Sequence, residues 1–178
     1  MHLHTELQTL PCISRNLLPW YAIRTKSNQE KLVSTILSNK DFEIYFPVYR
    51  VCRRWSDRVV ETELPLFPGY VFGRLDIVKR MPILTTPGVV RILSVGHEPA
   101  AIPEEEIEAV RTVLRSGLLT EPCPFIREGQ RIRVHSGSLK GQEGILLKKK
   151  NKWRMVVSIT LLQRSVSVEI DRECIAAL

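Results

Sequence analysis

The first strongly patterned part of the chain begins at residue 20. Residues 20–25 are mainly apolar, aromatic or β-branched, which predicts a strand. Ser27 stands three positions before Glu30, the spacing of a capping box at the start of a helix. We therefore predict a helix to about Lys40, because apolar residues recur there at helical spacing: Leu32, Val33, Ile36 and Leu37.

The pattern then changes to alternating, strand-like segments, which we place at residues 42–51, 59–64, 70–75 and 89–95. The first two of these strands flank a polar, basic segment and predict a long hairpin. Asp76 can cap a short helix to about Met81, and Pro82 limits how far that helix continues. Pro103 begins a last helix that ends near Gly117, with a predicted buried stripe of Ile107, Val110 and Leu114.

The C-terminal part favours strands throughout: 131–135, 144–148, 153–159 and 165–170. Short strands packed this densely predict a small closed barrel. The fold class is therefore α+β, a sandwich with a mainly antiparallel sheet followed by a small β-barrel. We divide the chain into a flexible tail (1–19), a first domain (20–116), a linker (117–126) and a barrel domain (127–178).

The net positive charge of the chain indicates a class of partner. The 178 residues carry a formal net charge of +7, and the sequence pI is about 9.5. Basic residues outnumber acidic ones over residues 20–95 and again over residues 127–178, and a glutamate-rich stretch separates the two regions. Such a distribution indicates a polyanionic partner such as nucleic acid. The alternative is that the charge only keeps the protein in solution.

Several classes of protein are excluded. We find no apolar run long enough to span a membrane and no secretory signal, and the four cysteines are scattered as in a reducing cytoplasm. We find no nucleophile elbow, phosphate loop or metal-ligand spacing. We therefore expect a cytoplasmic protein that is monomeric, uses no cofactor or metal and is not an enzyme.

A glycine pattern marks the barrel domain. Residues 137–144 contain G-x-x-x-G-x-x-G between two predicted strands. The pattern resembles the KOW motif of NusG-type factors and several ribosomal proteins. In that family the glycines shape the loop and the residues between them can touch a partner, so the candidate loop residues are Gly137, Leu139, Lys140, Gly141 and Gly144.

The first domain carries a second resemblance. Residues 20–23 (WYAI), 66–72 (LFPGYVF) and 86–90 (TPGVV) resemble successive signatures of the NusG N-terminal domain, or NGN domain. With the KOW pattern, the resemblance covers residues 20–178. Residues 65–72 (PLFPGYVF) are more similar to the specialised RfaH and UpxY paralogues than to housekeeping NusG.

The resemblance implies a transcription elongation factor that binds RNA polymerase and promotes processive elongation or antitermination, in the specialised case on particular operons. In the family, an apolar surface of the NGN domain contacts the clamp helices of the largest polymerase subunit. By motif, the matching residues are Tyr70, Phe72, Ile92 and Val95. The alternative is that they fill the sandwich core, because alternation places Tyr70 and Phe72 on one face without showing whether that face is covered.

The resemblance also implies contact with non-template DNA or nascent RNA. Lys26 matches a basic position of the family, and Arg24 lies near it. The predicted hairpin tip combines guanidinium groups with an aromatic ring and is a further candidate: Arg53, Arg54, Trp55 and Arg58. The barrel would offer a site to a small-subunit ribosomal protein or to Rho. Two alternatives stay open, a housekeeping NusG that couples polymerase to Rho or the ribosome, and a KOW-type RNA-binding or ribosome-associated protein.

Overall fold

The computed structural model describes residues 18–54, 59–125, 129–149 and 152–178. The strands of the first domain are β1 (Trp20–Thr25), β2 (Glu43–Tyr45), β3 (Val48–Arg54), β4 (Val59–Pro65), β5 (Tyr70–Arg74), β6 (Val89–Ile92), β7 (Ser94–Val95), β8 (Glu98–Pro99) and β9 (Ala101–Ile102). Its helices are α1 (Glu30–Ser38), α2 (Met81–Leu84) and α3 (Glu104–Arg115). The second domain contains β10 (Thr120–Pro124), β11 (Gln130–Val134), β12 (Glu143–Lys149), β13 (Lys152–Ile159), β14 (Arg164–Ile170) and β15 (Ile175–Ala177).

A five-stranded antiparallel sheet forms the centre of the first domain. Its order is β2-β5-β1-β6, and β9 also pairs with the start of β1. Side chains of β1 alternate between two cores. Ile23 packs with α1 and α2, whereas Trp20 and Ala22 pack with α3. Helices therefore cover both faces, and the expected α+β sandwich is confirmed.

The start of α1 differs from the prediction. Ser27 does not cap it: the N-cap residue is Gln29, and no side chain caps the helix. Glu30 is only 5% exposed, and its carboxylate accepts a hydrogen bond from the backbone N–H of Gly69 at 2.7 Å. The sequence has the spacing of a capping box, but the Glu30 carboxylate accepts a hydrogen bond from Gly69 and does not cap the helix.

Prolines explain two further differences. The single strand predicted at 42–51 is two strands, because Pro47 has no N–H to donate and the chain leaves the main sheet there to form the β3–β4 hairpin. Asp76 caps a short 3₁₀ turn, accepting from the N–H of Val78 at 3.0 Å. Pro82 lies in the first turn of α2, where a proline needs no hydrogen-bond partner, and so does not limit the helix as predicted.

The last predicted strand and helix of the domain are close to the observed ones. The strand predicted at 89–95 ends at Ile92, and β7 pairs with β8 in a separate hairpin. In α3, Ile107 and Val110 are buried as expected. Val113 is buried in place of Leu114, which is half-buried. Gly117 follows the helix with φ +71°, the left-handed conformation of a C-terminal cap.

The second domain is a six-stranded antiparallel sheet in the order β10-β14-β13-β12-β11-β15. The four predicted strands are confirmed as β11 to β14. The segment predicted as a linker is not entirely one, because residues 120–124 form β10 and pair with β14. Pro122 and Pro124 are compatible with this strand because β10 lies at the sheet edge.

Among the described residues, no helix is long and apolar enough to cross a membrane. The two domains pack against each other, and one cluster of buried side chains contains residues from both, with α3 lying against β13.

Candidate functional site

A tight turn positions Tyr70 at the start of β5. The backbone N–H of Thr25 donates to the carbonyl of Gly69 at 2.9 Å, and the N–H of Gly69 donates to Glu30. Gly69 has φ +84°, a conformation that favours glycine. The turn is therefore held by β1 on one side and by α1 on the other.

The ring of Tyr70 lies at the boundary between the two domains. Tyr70 is half-buried, and the guanidinium carbon of Arg164 lies 5.7 Å from its ring centroid. Arg164 also donates from Nη1 to the carbonyl of Pro68 at 3.3 Å. The candidate polymerase-binding tyrosine is thus partly covered by the second domain.

Phe72 does not form an exposed surface. It is fully buried and packs edge-on against Phe67, with ring centroids 5.5 Å apart, and against Tyr45 at 6.2 Å. Tyr70 and Phe72 do share a face of β5, as alternation predicted. The expectation of an exposed Phe72 is wrong in this conformation, because the face is covered at that point.

Ile92 and Val95 lie in different environments, one buried and one exposed. Ile92 is 7% exposed and lies opposite Ile23 in the core beneath α1, on the other face of the sheet from Tyr70. Its predicted place beside Tyr70 is therefore wrong. Val95 is 68% exposed on the β7–β8 hairpin, as a contact residue would be.

The two basic candidates in and just after β1 are at the surface. Arg24 and Lys26 are both exposed, and the backbone N–H of Lys26 donates to the carbonyl of Gly88 at 2.8 Å. Arg24 lies directly opposite Arg91 of β6. Arg91 was not among the predicted site residues, because only the pairing register of β1 and β6 brings it beside Arg24.

The hairpin-tip candidates lie largely outside the described residues. The backbone of Arg53 pairs with Val60 and that of Arg54 with Val59, at the far end of the β3–β4 hairpin. Trp55 and Arg58 lie outside the described residues. The proposed use of this tip in nucleic-acid binding stays a prediction.

In the KOW loop, the residues divide into structural and exposed positions. Gly137 and Gly141 have φ +81° and +87°, which agrees with a loop shaped by glycines. Leu139 is buried at 2% exposure, so its side chain belongs to the core, whereas Lys140 is exposed. Gly144 lies within β12, where an added Cβ would approach the carbonyl oxygen of Val156 to 2.6 Å.

The sequence patterns did not indicate a cation–aromatic cluster on the Tyr70 face of the central sheet, at the opposite end of that face. The guanidinium groups of Arg74 and Arg111 each lie 4.9 Å from the Trp20 ring, and Arg111 also lies 4.8 Å from the Tyr45 ring. Glu43 and Glu104 pair with Arg74 at 3.1 and 2.7 Å. This cluster joins β1, β2, β5 and α3.

Burial raises the pKa of the Tyr45 hydroxyl well above its usual range, and the positive charge of Arg111 offsets only part of that effect. The hydroxyl has no hydrogen-bond partner among the described residues. Tyr45 is therefore a neutral packing residue in this cluster and not a proton donor or acceptor.

Within the part of the chain that the structure describes, no group of three or more His, Cys, Asp or Glu side chains is arranged to hold a metal ion. Cys174 forms no disulfide.

Residues 18–111 match the family model described as transcription termination factor nusG. The chain belongs to the NusG family of transcription termination/antitermination factors.

Two relatives and one solved structure illustrate the similarity. The transcription termination/antitermination protein NusG of Helicobacter pylori (strain ATCC 700392 / 26695) is 27% identical over 135 residues, which cover 68% of this chain and 76% of the relative. The protein of the same name from Rickettsia felis is 23% identical over 175 residues and 91% of each chain. A structure described as "Domain interaction in Thermotoga maritima NusG" has a TM-score of 0.53 at 18% identity, covering 92% of this chain and 99% of that chain. This last likeness is one of fold.

Proposed function

We propose that this NusG-family chain acts in the bacterial cytoplasm as a transcription elongation factor that binds RNA polymerase and promotes processive elongation or antitermination, on particular operons. The supporting observation is the place of Tyr70 in a chain of this family. Its aromatic ring lies at the edge of an apolar sheet face, on a turn that α1 and β1 hold in place.

Tyr70 is the residue we assign to the clamp helices of the largest polymerase subunit. Aromatic side chains dominate the binding energy of many protein interfaces because they bury a large area at little conformational cost. Phe72 supports the ring from within the core rather than by contact with polymerase. Val95 is a second contact residue, since it is an exposed apolar side chain.

Binding through Tyr70 requires the second domain to move. Arg164 covers the ring, and the contacts that hold it there include its bond to the carbonyl of Pro68 and the bond from the N–H of Thr160 to the Glu106 carboxylate at 3.0 Å. Polymerase would favour the separated arrangement by preferential binding, which is a shift of population rather than a chemical step.

The separated second domain would then be free for its own partner, a small-subunit ribosomal protein or Rho. Lys140 carries the exposed charged side chain of the KOW loop that we assign to this contact. The same chain would in this way join polymerase to a second machine.

The test is the affinity of purified RNA polymerase for Tyr70→Ala, Tyr70→Phe and the wild-type chain, with thermal unfolding measured on each. We expect Tyr70→Ala to weaken binding about thirtyfold, the effect of losing roughly 2 kcal/mol at an aromatic anchor. Tyr70→Phe keeps the ring and should bind nearly as well as wild type. Wild-type affinity in a folded Tyr70→Ala variant would exclude Tyr70 as the anchor.

The effect on transcription can be measured separately. Purified polymerase should pause less and read through more terminators when the protein is added to a template from a regulated operon. Increased termination in the presence of Rho would instead support the housekeeping role.

A further inference from the structure

Three neighbouring strands place an aromatic and two basic side chains in one line. Arg24 lies opposite Tyr70 of β5 on one side and opposite Arg91 of β6 on the other. Residues directly opposite each other on antiparallel strands project from the same face, and neighbouring strands lie about 4.8 Å apart. The line therefore crosses three strands near the turn that carries Gly69.

The two arginines are a like-charged pair. Both are exposed, and neither forms an ion pair with any carboxylate among the described residues. The carboxylate of Glu30, the acidic group at the adjacent turn, is buried and bonded to Gly69. Like charges directly opposite each other in a sheet are destabilising. A bound anion would remove this repulsion.

The second domain extends the line. The guanidinium group of Arg164 lies over the Tyr70 ring and uses Nη1 for the Pro68 carbonyl. A guanidinium group has five N–H donors, so further donors remain for an anion. In the docked arrangement, Arg164 and Arg24 thus lie on either side of Tyr70, and Arg91 follows Arg24 on the next strand.

We propose that Arg164, Tyr70, Arg24 and Arg91 form one binding site for the phosphodiester backbone of a nucleic acid, complete only when the two domains are docked. Successive guanidinium groups suit a ligand with regularly repeated phosphates better than a single small anion. Tyr70 holds Arg164 in line through its ring face. Lys26, exposed two positions beyond Arg24 along the chain, adds a positive charge just past the end of β1.

This inference goes beyond polymerase binding and has an opposite consequence for the domains. A nucleic acid that contacts both Arg164 and Arg24 stabilises the docked arrangement. A polymerase that needs the Tyr70 ring stabilises the separated one. The two ligands would therefore compete through the position of the second domain.

The test uses the full chain without polymerase and measures fluorescence anisotropy of a labelled oligonucleotide of about 12 nucleotides, as single strand and as duplex, over a range of salt concentrations. The variants are Arg24→Gln, Arg91→Gln and Arg164→Gln. Arg80→Gln is the matched control, because the substitution removes the same charge from an exposed residue. Among the described residues, the Arg80 side chain donates only to the carbonyl of Ile77 in its own turn.

We expect each of the three variants to weaken binding about tenfold at low salt, the loss of one charge-assisted hydrogen bond, and to reduce the salt slope by about one. Arg80→Gln should change neither quantity by as much. Lysine at the same three positions should restore the salt slope, since it keeps the charge, and thermal unfolding checks that each variant is folded.

Three results would overturn the proposal. In the first, Arg24→Gln and Arg91→Gln bind like Arg80→Gln. In the second, Arg164→Gln binds like wild type, which would show that the site does not span the domains. In the third, polyglutamate competes as well as unlabelled oligonucleotide, which would indicate an acidic protein as the ligand. The single-stranded and duplex arms identify which form of nucleic acid binds.

Discussion

The Glu30 carboxylate accepts a hydrogen bond from the backbone N–H of Gly69, at 2.7 Å. Glu30 is the first residue of α1, and Gly69 belongs to the turn that begins β5. The two residues are far apart in sequence, and the bond is part-buried, with Glu30 itself in the interior. It fixes the turn before Tyr70 relative to the helix, so the position of the candidate anchor depends on α1.

Replacing Glu30 should destabilise the first domain. Glu30→Ala leaves the Gly69 N–H without its acceptor, and we expect the free energy of unfolding in urea to fall by about 1–3 kcal/mol. Glu30→Gln keeps an oxygen acceptor and should lose less. Lys31→Ala, on the exposed side of the same helix, is the control. Equal stability of Glu30→Ala and the control would show that the bond contributes little.

Gly88 should not tolerate a side chain. Its φ is +90°, and an added Cβ would lie 2.6 Å from Oε1 of Gln29 and 2.8 Å from Cγ2 of Val33. We expect Gly88→Ala to lower the free energy of unfolding by about 2–4 kcal/mol, through backbone strain together with overpacking against α1.

Gly96→Ala separates these two causes. Gly96 has φ +62°, but no atom lies within 4 Å of its added Cβ. The free energy of unfolding of Gly96→Ala should therefore fall only by the cost of the backbone strain, about 1–2 kcal/mol. Equal losses in the two variants, measured by chemical unfolding, would argue against the steric contribution at Gly88.

Tyr45 should make stability depend on alkaline pH. Because burial raises its pKa in the folded chain above the value of about 10 in the unfolded chain, the unfolded chain loses the proton first. The contribution of this group to stability is fully present below pH 10 and is lost progressively as the pH rises toward the folded pKa.

Tyr45→Phe tests this dependence. The variant removes a buried hydroxyl that has no partner among the described residues, so its stability at pH 7 should lie within about 1 kcal/mol of wild type or above it. Urea unfolding between pH 8 and pH 11 should show a smaller loss of stability for Tyr45→Phe than for wild type. Parallel pH profiles would contradict the prediction.

The bond between Glu106 and Thr160 should contribute to domain docking. Glu106→Ala removes the acceptor for the Thr160 N–H, and we expect the docked state to lose about 0.5–1.5 kcal/mol. Fluorescence energy transfer between dyes on the two domains should report a larger separated population. Glu105→Ala removes the neighbouring exposed charge and serves as the control. Identical transfer in both variants would exclude the bond as a determinant of docking.

Local patterns predicted most of the secondary structure. The strands of the second domain alternate strongly, and α3 has a proline start, acidic first turn and glycine end, so these elements could be placed from sequence. The predicted caps and strand boundaries were wrong where a residue fitted a local pattern but makes a different contact in the fold. Glu30 satisfied a capping pattern but bonds to Gly69, and Pro47 divides a run of strand-forming residues into two sheets.

The candidate site was only partly accessible from the sequence. Alternation correctly placed Tyr70 and Phe72 on one face of β5. It did not show that the face is covered at Phe72 and only partly covered at Tyr70. Coverage depends on elements distant in sequence, among them β14 with Arg164.

The sequence by itself determined the family, the order of the elements and the two-domain plan, because these follow from short motifs and from periods of two and 3.6 residues. Only the tertiary structure decided that residues 120–124 join the second sheet, that Ile92 faces away from Tyr70 and that Arg91 lies beside Arg24. Strand pairing and domain docking set these relationships. Both depend on contacts between residues far apart in the chain, for which a local pattern carries no information.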